Sequence, residues 1–133
     1  MKNTILLLIL LFGISILAQN AEKPLKFTKF TQKVIKKRGT QLVLKKVVND
    51  SRCPEGVNCI WAGEIEIEVA IYKNRKLIST ENVLISPKLQ QENIAWFSKY
   101  YPKLKIKEIG VLPYPKSEVV LNPKDFYVKL FFE

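Results

Sequence analysis

Residues 64–72, EIEIEVAIY, have the clearest periodicity in the chain. Acidic and apolar residues alternate along this stretch. Because successive side chains of a strand point to opposite faces, one face would lie on a core and the other would face water. A polar turn at 73–76 leads into a second strand-like run at 77–85, which is the arrangement of a β-hairpin. These residues predict an antiparallel sheet.

Other parts of the chain extend this pattern. Further strand-like runs lie at 25–35, 41–49, 104–112 and 125–132. Residues 89–100 lack alternation, and a short helix is expected there, ending before Pro102. Short, closely spaced strands with one helix predict an all-β fold, an antiparallel β-sandwich of about six to eight strands. A small β-barrel is the alternative.

Two rows of charged residues have the same spacing and opposite sign. They are Glu64, Glu66 and Glu68 in one run, and Lys103, Lys105 and Lys107 in another. Opposite charges that face each other across neighbouring strands stabilise a sheet. If these two strands are neighbours, the rows should form a cross-strand charge ladder.

The N-terminal residues have the pattern of an export signal. Lys2 precedes an apolar run at 5–17, and Ala18 follows it. The run is shorter than the roughly 20 residues that a membrane-spanning helix needs, although a retained anchor is the alternative. We predict a signal peptide at 1–18, a disordered lead at 19–24 and a single β-sandwich domain at 25–133. The mature protein would be periplasmic or secreted, without stable membrane insertion after cleavage.

Both cysteines, Cys53 and Cys59, lie in the segment 50–63, DSRCPEGVNCIWAG. In an oxidising compartment the pair is expected to form a disulfide. A metal pair or a catalytic thiol is disfavoured, because the chain has no histidine and zinc sites usually combine cysteine with histidine. The lack of histidine also excludes Ser-His-Asp and Cys-His catalysis. No catalytic residue, metal ligand or cofactor is predicted.

The loop closed by these cysteines carries the candidate binding residues Arg52, Pro54, Glu55 and Trp61. An aromatic residue and an arginine on a constrained turn are typical anchors of protein interfaces. The alternative is a purely structural corner that caps the sandwich, since small secreted domains often need such a staple. The sequence leaves both interpretations open.

The same segment resembles the signature DSRCPxxVxCxWAG of an uncharacterised family of small exported bacterial proteins. The residues 111–115, VLPYP, and 126–130, FYVKL, are similar to the C-terminal part of those proteins. The resemblance covers most of the chain from residue 25. Members often carry a lipoprotein signal, and this chain departs from them because it has no lipobox cysteine. The resemblance implies a compartment and an architecture, and it brings no activity.

Charge narrows the range of partners. The chain has a formal net charge of +10, which attracts anionic polymers and lipid headgroups. Our leading hypothesis is an exported, non-catalytic binding domain of the bacterial cell envelope, whose partner is an envelope protein or an anionic envelope polymer and not nucleic acid. One alternative is a protease-inhibitor-like protein. Another is an enzyme that acts on envelope glycans through paired carboxylates, with Asp50, Glu55 and the glutamate row as candidates.

Overall fold

The computed structural model describes residues 23–34 and 38–133 of the chain. The predicted signal peptide at 1–18 and residues 19–22 of the predicted lead lie outside the described residues. The regular elements are β1 (Lys26–Phe30), β2 (Thr40–Asp50), β3 (Ile65–Lys73), β4 (Lys76–Ile85), α1 (Gln90–Tyr100), β5 (Ile106–Leu112) and β6 (Tyr127–Phe132). Short 3-10 turns lie at Pro87–Leu89 and Pro123–Asp125.

The strands form two three-stranded antiparallel sheets, which we call the first sheet (β1-β6-β5) and the second sheet (β2-β3-β4). The predicted all-β antiparallel sandwich with one short helix is confirmed. The two sheets stay separate, so the barrel alternative is not what forms. At one side a backbone hydrogen bond of 3.0 Å, from Leu44 N–H to the Thr31 carbonyl, ties the second sheet to the end of β1.

The core lies between the sheets and follows from the alternation in the strands. Ile65, Ile67 and Val69 of β3 are buried, as are Val128 and Leu130 of β6. Burial of each such side chain stabilises the fold by about 1.5–3 kcal/mol. The helix α1 completes the core with Phe97, which has no exposed surface and lies 6.0 Å, between ring centroids, from Phe30.

Bulges change the pattern of faces along β2. Simple alternation would place Val47 on the same face as Val43, and opposite Leu42 and Leu44. The pairing with β3 shifts between Leu44 and Lys46 and again after Val47. Because each extra residue reverses the phase of the strand, Val47 packs against the core that holds Leu42 and Leu44.

The predicted charge ladder is wrong. Strand β3, which carries Glu66 and Glu68, pairs with β2 and β4, whereas Lys107 belongs to β5 in the first sheet. The charged residues find other partners. Glu68 lies 3.9 Å from Lys46, Glu66 accepts a 3.0 Å hydrogen bond from Asn82, and Lys107 pairs with Glu133 at 3.1 Å. Equal spacing alone does not determine which strands become neighbours.

The helix α1 is linked to β4 by an aromatic cluster with a polar centre. The Trp96 Nε1–H donates a 2.9 Å hydrogen bond to Glu81 Oε2, and the Trp96 ring lies 4.8 Å from Phe97 and 5.0 Å from Tyr100. Desolvation, and then the nearby Glu81 carboxylate, raises the pKa of Tyr100. No helix in the described part of the chain is long and apolar enough to cross a membrane.

Candidate functional site

Between β2 and β3 the chain forms a structure that we call the disulfide corner (residues 51–64). The pairing of the two strands continues into it. Ser51 N–H donates to the Glu64 carbonyl and Cys53 N–H donates to the Ala62 carbonyl, both at 2.9 Å. The Ser51 hydroxyl also donates to the Glu64 carbonyl, at 3.0 Å, so this carbonyl accepts two bonds from Ser51. The base of the corner is therefore an extension of the sheet.

Gly63 makes this close approach of the two chain segments possible. Its φ is 74°, in the left-handed region that residues with a Cβ rarely adopt. A Cβ at this position would lie 1.9 Å from the Ser51 carbonyl oxygen, far inside van der Waals contact. The geometry therefore explains why no larger residue fits there.

The predicted disulfide between Cys53 and Cys59 is present and closes the outer part of the corner. Inside the ring, Val57 N–H donates to the Pro54 carbonyl at 3.2 Å, which defines a turn over residues 54–57. Gly56 stands at the third position of that turn with a φ of 81°, as a type II turn requires. The ring and its turn limit the conformations that the loop can take.

Arg52 is the centre of the base. Its side chain is only 8% exposed, and it forms a two-pronged ion pair with Asp50, in which Nε and Nη2 donate to the carboxylate oxygens at 2.8 and 2.7 Å. Such paired bonds between a guanidinium and a carboxylate are among the strongest in proteins. Asp50 lies only two residues before Arg52, so this ion pair is local in the sequence.

The same guanidinium also reaches a distant part of the chain. Nη1 donates to the Val111 carbonyl within β5, and Nη2 donates at 3.1 Å to the carbonyl of Pro113, the first residue after that strand. The Tyr114 ring covers the guanidinium, with its centroid 4.8 Å from Cζ, which is the geometry of a cation–π contact. Arg52 thereby ties the disulfide corner to the first sheet.

A second tie lies close to the first. Glu55 N–H donates to the Pro115 carbonyl at 2.9 Å, and Glu55 forms an isolated parallel bridge with Lys116. Their side chains approach to 3.9 Å, but both are more than half exposed, so water screens this ion pair and it adds little. The backbone contacts hold the segment 54–56 against the turn that follows β5.

The tip of the corner is apolar and faces solvent. The side chain of Ile60 is fully exposed, Trp61 is 56% exposed, and Val57 is also exposed. Val57 lies inside the disulfide ring, and Ile60 and Trp61 are the two residues that follow Cys59. Together they form what we call the apolar tip (Val57, Ile60 and Trp61).

A groove of about 500 Å³ adjoins the corner, between the end of β4, the start of α1 and the outer edge of β5. Ala62 and Gly63, which directly follow Trp61 in the chain, form part of its wall. The polar residues Ser86 and Asn93 on the far side bond to each other or to the backbone, with Asn93 Nδ2 donating to the Leu84 carbonyl at 2.8 Å. Most of the lining is apolar, with contributions from Ile65, Ile85, Ile109 and Val111.

The four predicted loop residues separate into two groups. Arg52, Pro54 and Glu55 belong to the base, and Trp61 belongs to the tip. Sequence reasoning did not single out Val57 and Ile60. The signal for them was present, because both are aliphatic residues in a short loop between glycines, where polar residues are usual. Nothing local pointed to the contacts with Val111 and Pro113.

Three of the carboxylates considered for catalysis contact other side chains. Both oxygens of Asp50 accept bonds from Arg52, and Glu55 lies against Lys116. Glu66 accepts from Asn82 on the neighbouring strand. A pair of carboxylic groups facing a shared substrate position, as glycoside hydrolysis requires, is not formed by these three residues.

No family model, no curated protein and no solved structure matches the chain. The resemblance of residues 50–63 to a family of exported bacterial proteins therefore stays a prediction.

Proposed function

We propose that this protein is an exported, non-catalytic binding domain of the bacterial cell envelope, and that the disulfide corner presents its apolar tip to a partner protein. One observation carries the proposal. Ile60 and Trp61 stand exposed side by side on a loop whose base is held by the disulfide, the Arg52 contacts and the sheet. A structural corner requires the base, but it does not require an exposed tip.

The energetics of association favour this use of the tip. Burial of Trp61 or Ile60 in an apolar pocket of a partner would contribute about 1.5–3 kcal/mol each. A flexible loop would lose much of that gain, because ordering each side chain on binding costs about 0.5–1.5 kcal/mol and backbone ordering costs more. The disulfide and the ties of the base already hold the corner in one conformation before a partner arrives. Tryptophan is also among the residues that dominate interface energies.

The proposed location rests on three features. The disulfide suits an oxidising compartment. The N-terminal residues 1–18 have the pattern of a cleavable signal, and the motif at 50–63 resembles that of exported proteins. We propose a periplasmic or secreted protein. Expression of the full chain should give a product in the periplasm or medium whose first residue is 19, as measured by mass spectrometry; recovery of the uncleaved chain in the membrane would contradict this.

Affinity capture tests the binding function. The exported wild-type protein is immobilised and exposed to a native envelope extract, beside Trp61→Ala and the matched control Val120→Ala, which removes another strongly exposed apolar side chain. We expect that wild type and Val120→Ala retain the same one or few proteins. Excess soluble wild type should release them. Trp61→Ala should retain at least about tenfold less, since loss of 1.4 kcal/mol is tenfold in affinity.

Two results would contradict the proposal. Equal retention by Trp61→Ala and wild type would make the tip irrelevant to the partner. Loss of retention by Val120→Ala to the same degree would mean that any exposed apolar residue supports the interaction. Far-ultraviolet circular dichroism on each variant establishes that the folded state is being compared.

A further inference from the structure

The outer face of the first sheet carries a second cluster whose composition differs from that of the apolar tip. Val128 and Leu130 of β6 are buried in the core, so Tyr127, Lys129 and Phe131 between and beyond them point outward. In the pairing with β1, Phe27 lies opposite Phe131 and Lys29 lies opposite Lys129. These five residues form what we call the aromatic–lysine face (Phe27, Lys29, Tyr127, Lys129 and Phe131).

The side chains of this face are in mutual contact. Lys129 Nζ lies 3.9 Å from the ring centroid of Phe27 and 5.0 Å from that of Phe131, and Lys29 Nζ lies 5.5 Å from that of Tyr127. The rings of Phe27 and Phe131 are 6.3 Å apart. Phe27 is 55% exposed, which leaves much of its ring available to a ligand.

The two lysines, Lys29 and Lys129, have no direct ion-pair partner among the described residues, 23–34 and 38–133. Glu108, which the register puts on the same face opposite Phe131, is not within ion-pair distance of either. Like charges directly opposite each other on neighbouring strands destabilise a sheet. Contact with aromatic rings attracts an ammonium group but does not neutralise it. An anion bound between the two side chains would offset this repulsion.

The face is open on its third strand. Gly110 of β5 lies opposite Lys129, so no side chain stands beside the lysine there. A Cβ at Gly110 would meet only the edge of Phe131, at 3.8 Å. Three strands span about 10 Å, and a flat surface of this width suits a ligand that lies along it better than a compact ion in a pocket.

We propose that the aromatic–lysine face binds an acidic polysaccharide. Carboxylate or phosphate groups of the polymer bind to Lys29 and Lys129, and the apolar faces of its sugar rings pack on Phe27, Phe131 and Tyr127. Charge complementarity supports an anionic ligand, and the exposed rings support one that offers surface for stacking. The choice of a polysaccharide among anionic polymers rests on the proposed export, because envelope polymers are what an exported chain meets. None of the five residues of the face belongs to the disulfide corner, although Phe131 also lines the groove beside it.

The test measures binding of the exported protein to polygalacturonate, with neutral dextran as the uncharged comparison, over a range of salt concentrations. Lys29→Gln/Lys129→Gln is set beside Lys45→Gln/Lys76→Gln, which removes two exposed lysines from the second sheet and makes the same change in net charge. The first pair should weaken binding at least tenfold and reduce the slope of log affinity against log salt by roughly one to two. The control should change affinity by less than about twofold, since distant exposed charges are screened.

Two single variants test the parts of the proposal separately. Phe27→Ala removes a ring and no charge, and Trp61→Ala changes the apolar tip and leaves the aromatic–lysine face intact. Phe27→Ala should weaken binding to polygalacturonate severalfold while the salt slope stays that of wild type, because a ring and not a charge is lost. Trp61→Ala should bind polygalacturonate as wild type does, even if it captures no envelope protein. Loss of polysaccharide binding by the aromatic–lysine face and loss of protein binding by the apolar tip are therefore detected in different variants. Thermal unfolding of each variant verifies that it is folded.

Three outcomes would overturn the proposal. Equal weakening by both lysine pairs would show that net charge alone drives binding. Unchanged binding by Phe27→Ala would remove the role of the rings. Tighter binding to phosphatidylglycerol vesicles or to single-stranded oligothymidine than to polygalacturonate, lost in Lys29→Gln/Lys129→Gln, would assign the face to a membrane surface or to nucleic acid instead.

Discussion

The base and the tip of the disulfide corner belong to one short motif and have opposite environments. At the base, Arg52 is almost entirely buried and bonds to Asp50, Val111 and Pro113. At the tip, Ile60 is fully exposed. The comparison shows that one compact motif can contain residues kept for folding and residues available for binding. The structural interpretation offered by the sequence applies to the base. Binding of a partner through the tip stays a prediction.

The different environments of the base and the tip have a physical reason. A loop that exposes apolar side chains gains nothing in stability from them, so its shape must come from elsewhere. Here it comes from the sheet extension, the disulfide and the contacts of Arg52 with the segment after β5. If this division is right, substitutions at the base should change the free energy of unfolding, and substitutions at the tip should change only binding.

The largest effect is expected at Arg52. Arg52→Ala leaves the Asp50 carboxylate partly buried without its partner and removes the bonds to the segment after β5, so the free energy of unfolding should fall by about 3–5 kcal/mol. Urea denaturation measures this. The matched control is Arg75→Ala, in the exposed β3–β4 turn, where a change within about 0.5 kcal/mol is expected. Similar small effects for both arginines would mean that the base is not held by Arg52.

The two glycines of the corner give the next comparison. Gly63 and Gly56 both have positive φ, but only at Gly63 would a Cβ collide with backbone. Gly56→Ala should cost about 1–2 kcal/mol for the left-handed conformation alone. Gly63→Ala should cost about 3 kcal/mol or more, since the strands must separate to admit the methyl group. Equal costs in denaturation experiments would contradict the close approach at Ser51.

The same part of the molecule shows how much of the fold could be predicted from the sequence. Alternation in residues 64–72 predicted strand β3 and its hairpin with β4, because side-chain direction in a strand is a local property. The disulfide followed from the presence of only two cysteines, close together. The charge ladder failed, because the choice of neighbouring strands is decided by the packing of the whole core and not by local spacing.

The sequence predicted the disulfide of the corner but not the division of the corner into a buried base and an exposed tip. The sequence favours Arg52 as an anchor for a partner, because the nearby carboxylate of Asp50 gives no sign that the side chain is buried. The acceptors that bury it, the carbonyls of Val111 and Pro113, lie about sixty residues later in the chain. Contacts of such sequence separation leave no periodic signal. Likewise the aromatic–lysine face appears only once the register of β1 and β6 sets Lys29 opposite Lys129.

Removal of the disulfide should have an intermediate effect. Loop-closure entropy for this small ring gives about 2.4 kcal/mol, so Cys53→Ser/Cys59→Ser should fold with a lower denaturation midpoint. Its affinity for the captured partner should also fall, because the tip must then be ordered on binding. Reduction of the wild-type protein should reproduce both effects and reoxidation should reverse them. Unchanged affinity after reduction would mean that the ring does not pre-organise the tip.

The smallest change in stability is expected at the tip. Trp61→Ala and Ile60→Ser should each alter the free energy of unfolding by no more than about 0.5 kcal/mol, since both side chains are exposed. The other tryptophan serves as the contrast. Trp96→Phe removes the hydrogen bond to Glu81 and should cost about 1–2 kcal/mol. A larger loss at Trp61 than at Trp96, measured by urea denaturation, would place Trp61 in the structural part of the corner.

The most direct test of the division between base and tip is a paired measurement on Ile60→Ser/Trp61→Ala: the free energy of unfolding and the affinity for the protein partner obtained by capture. We predict that the free energy of unfolding stays within about 1 kcal/mol of the wild-type value, since both side chains are exposed. The affinity should fall at least a hundredfold, which equals about 2.7 kcal/mol. Wild-type affinity in this variant, or a loss of stability comparable with that of Arg52→Ala, would contradict the division between base and tip.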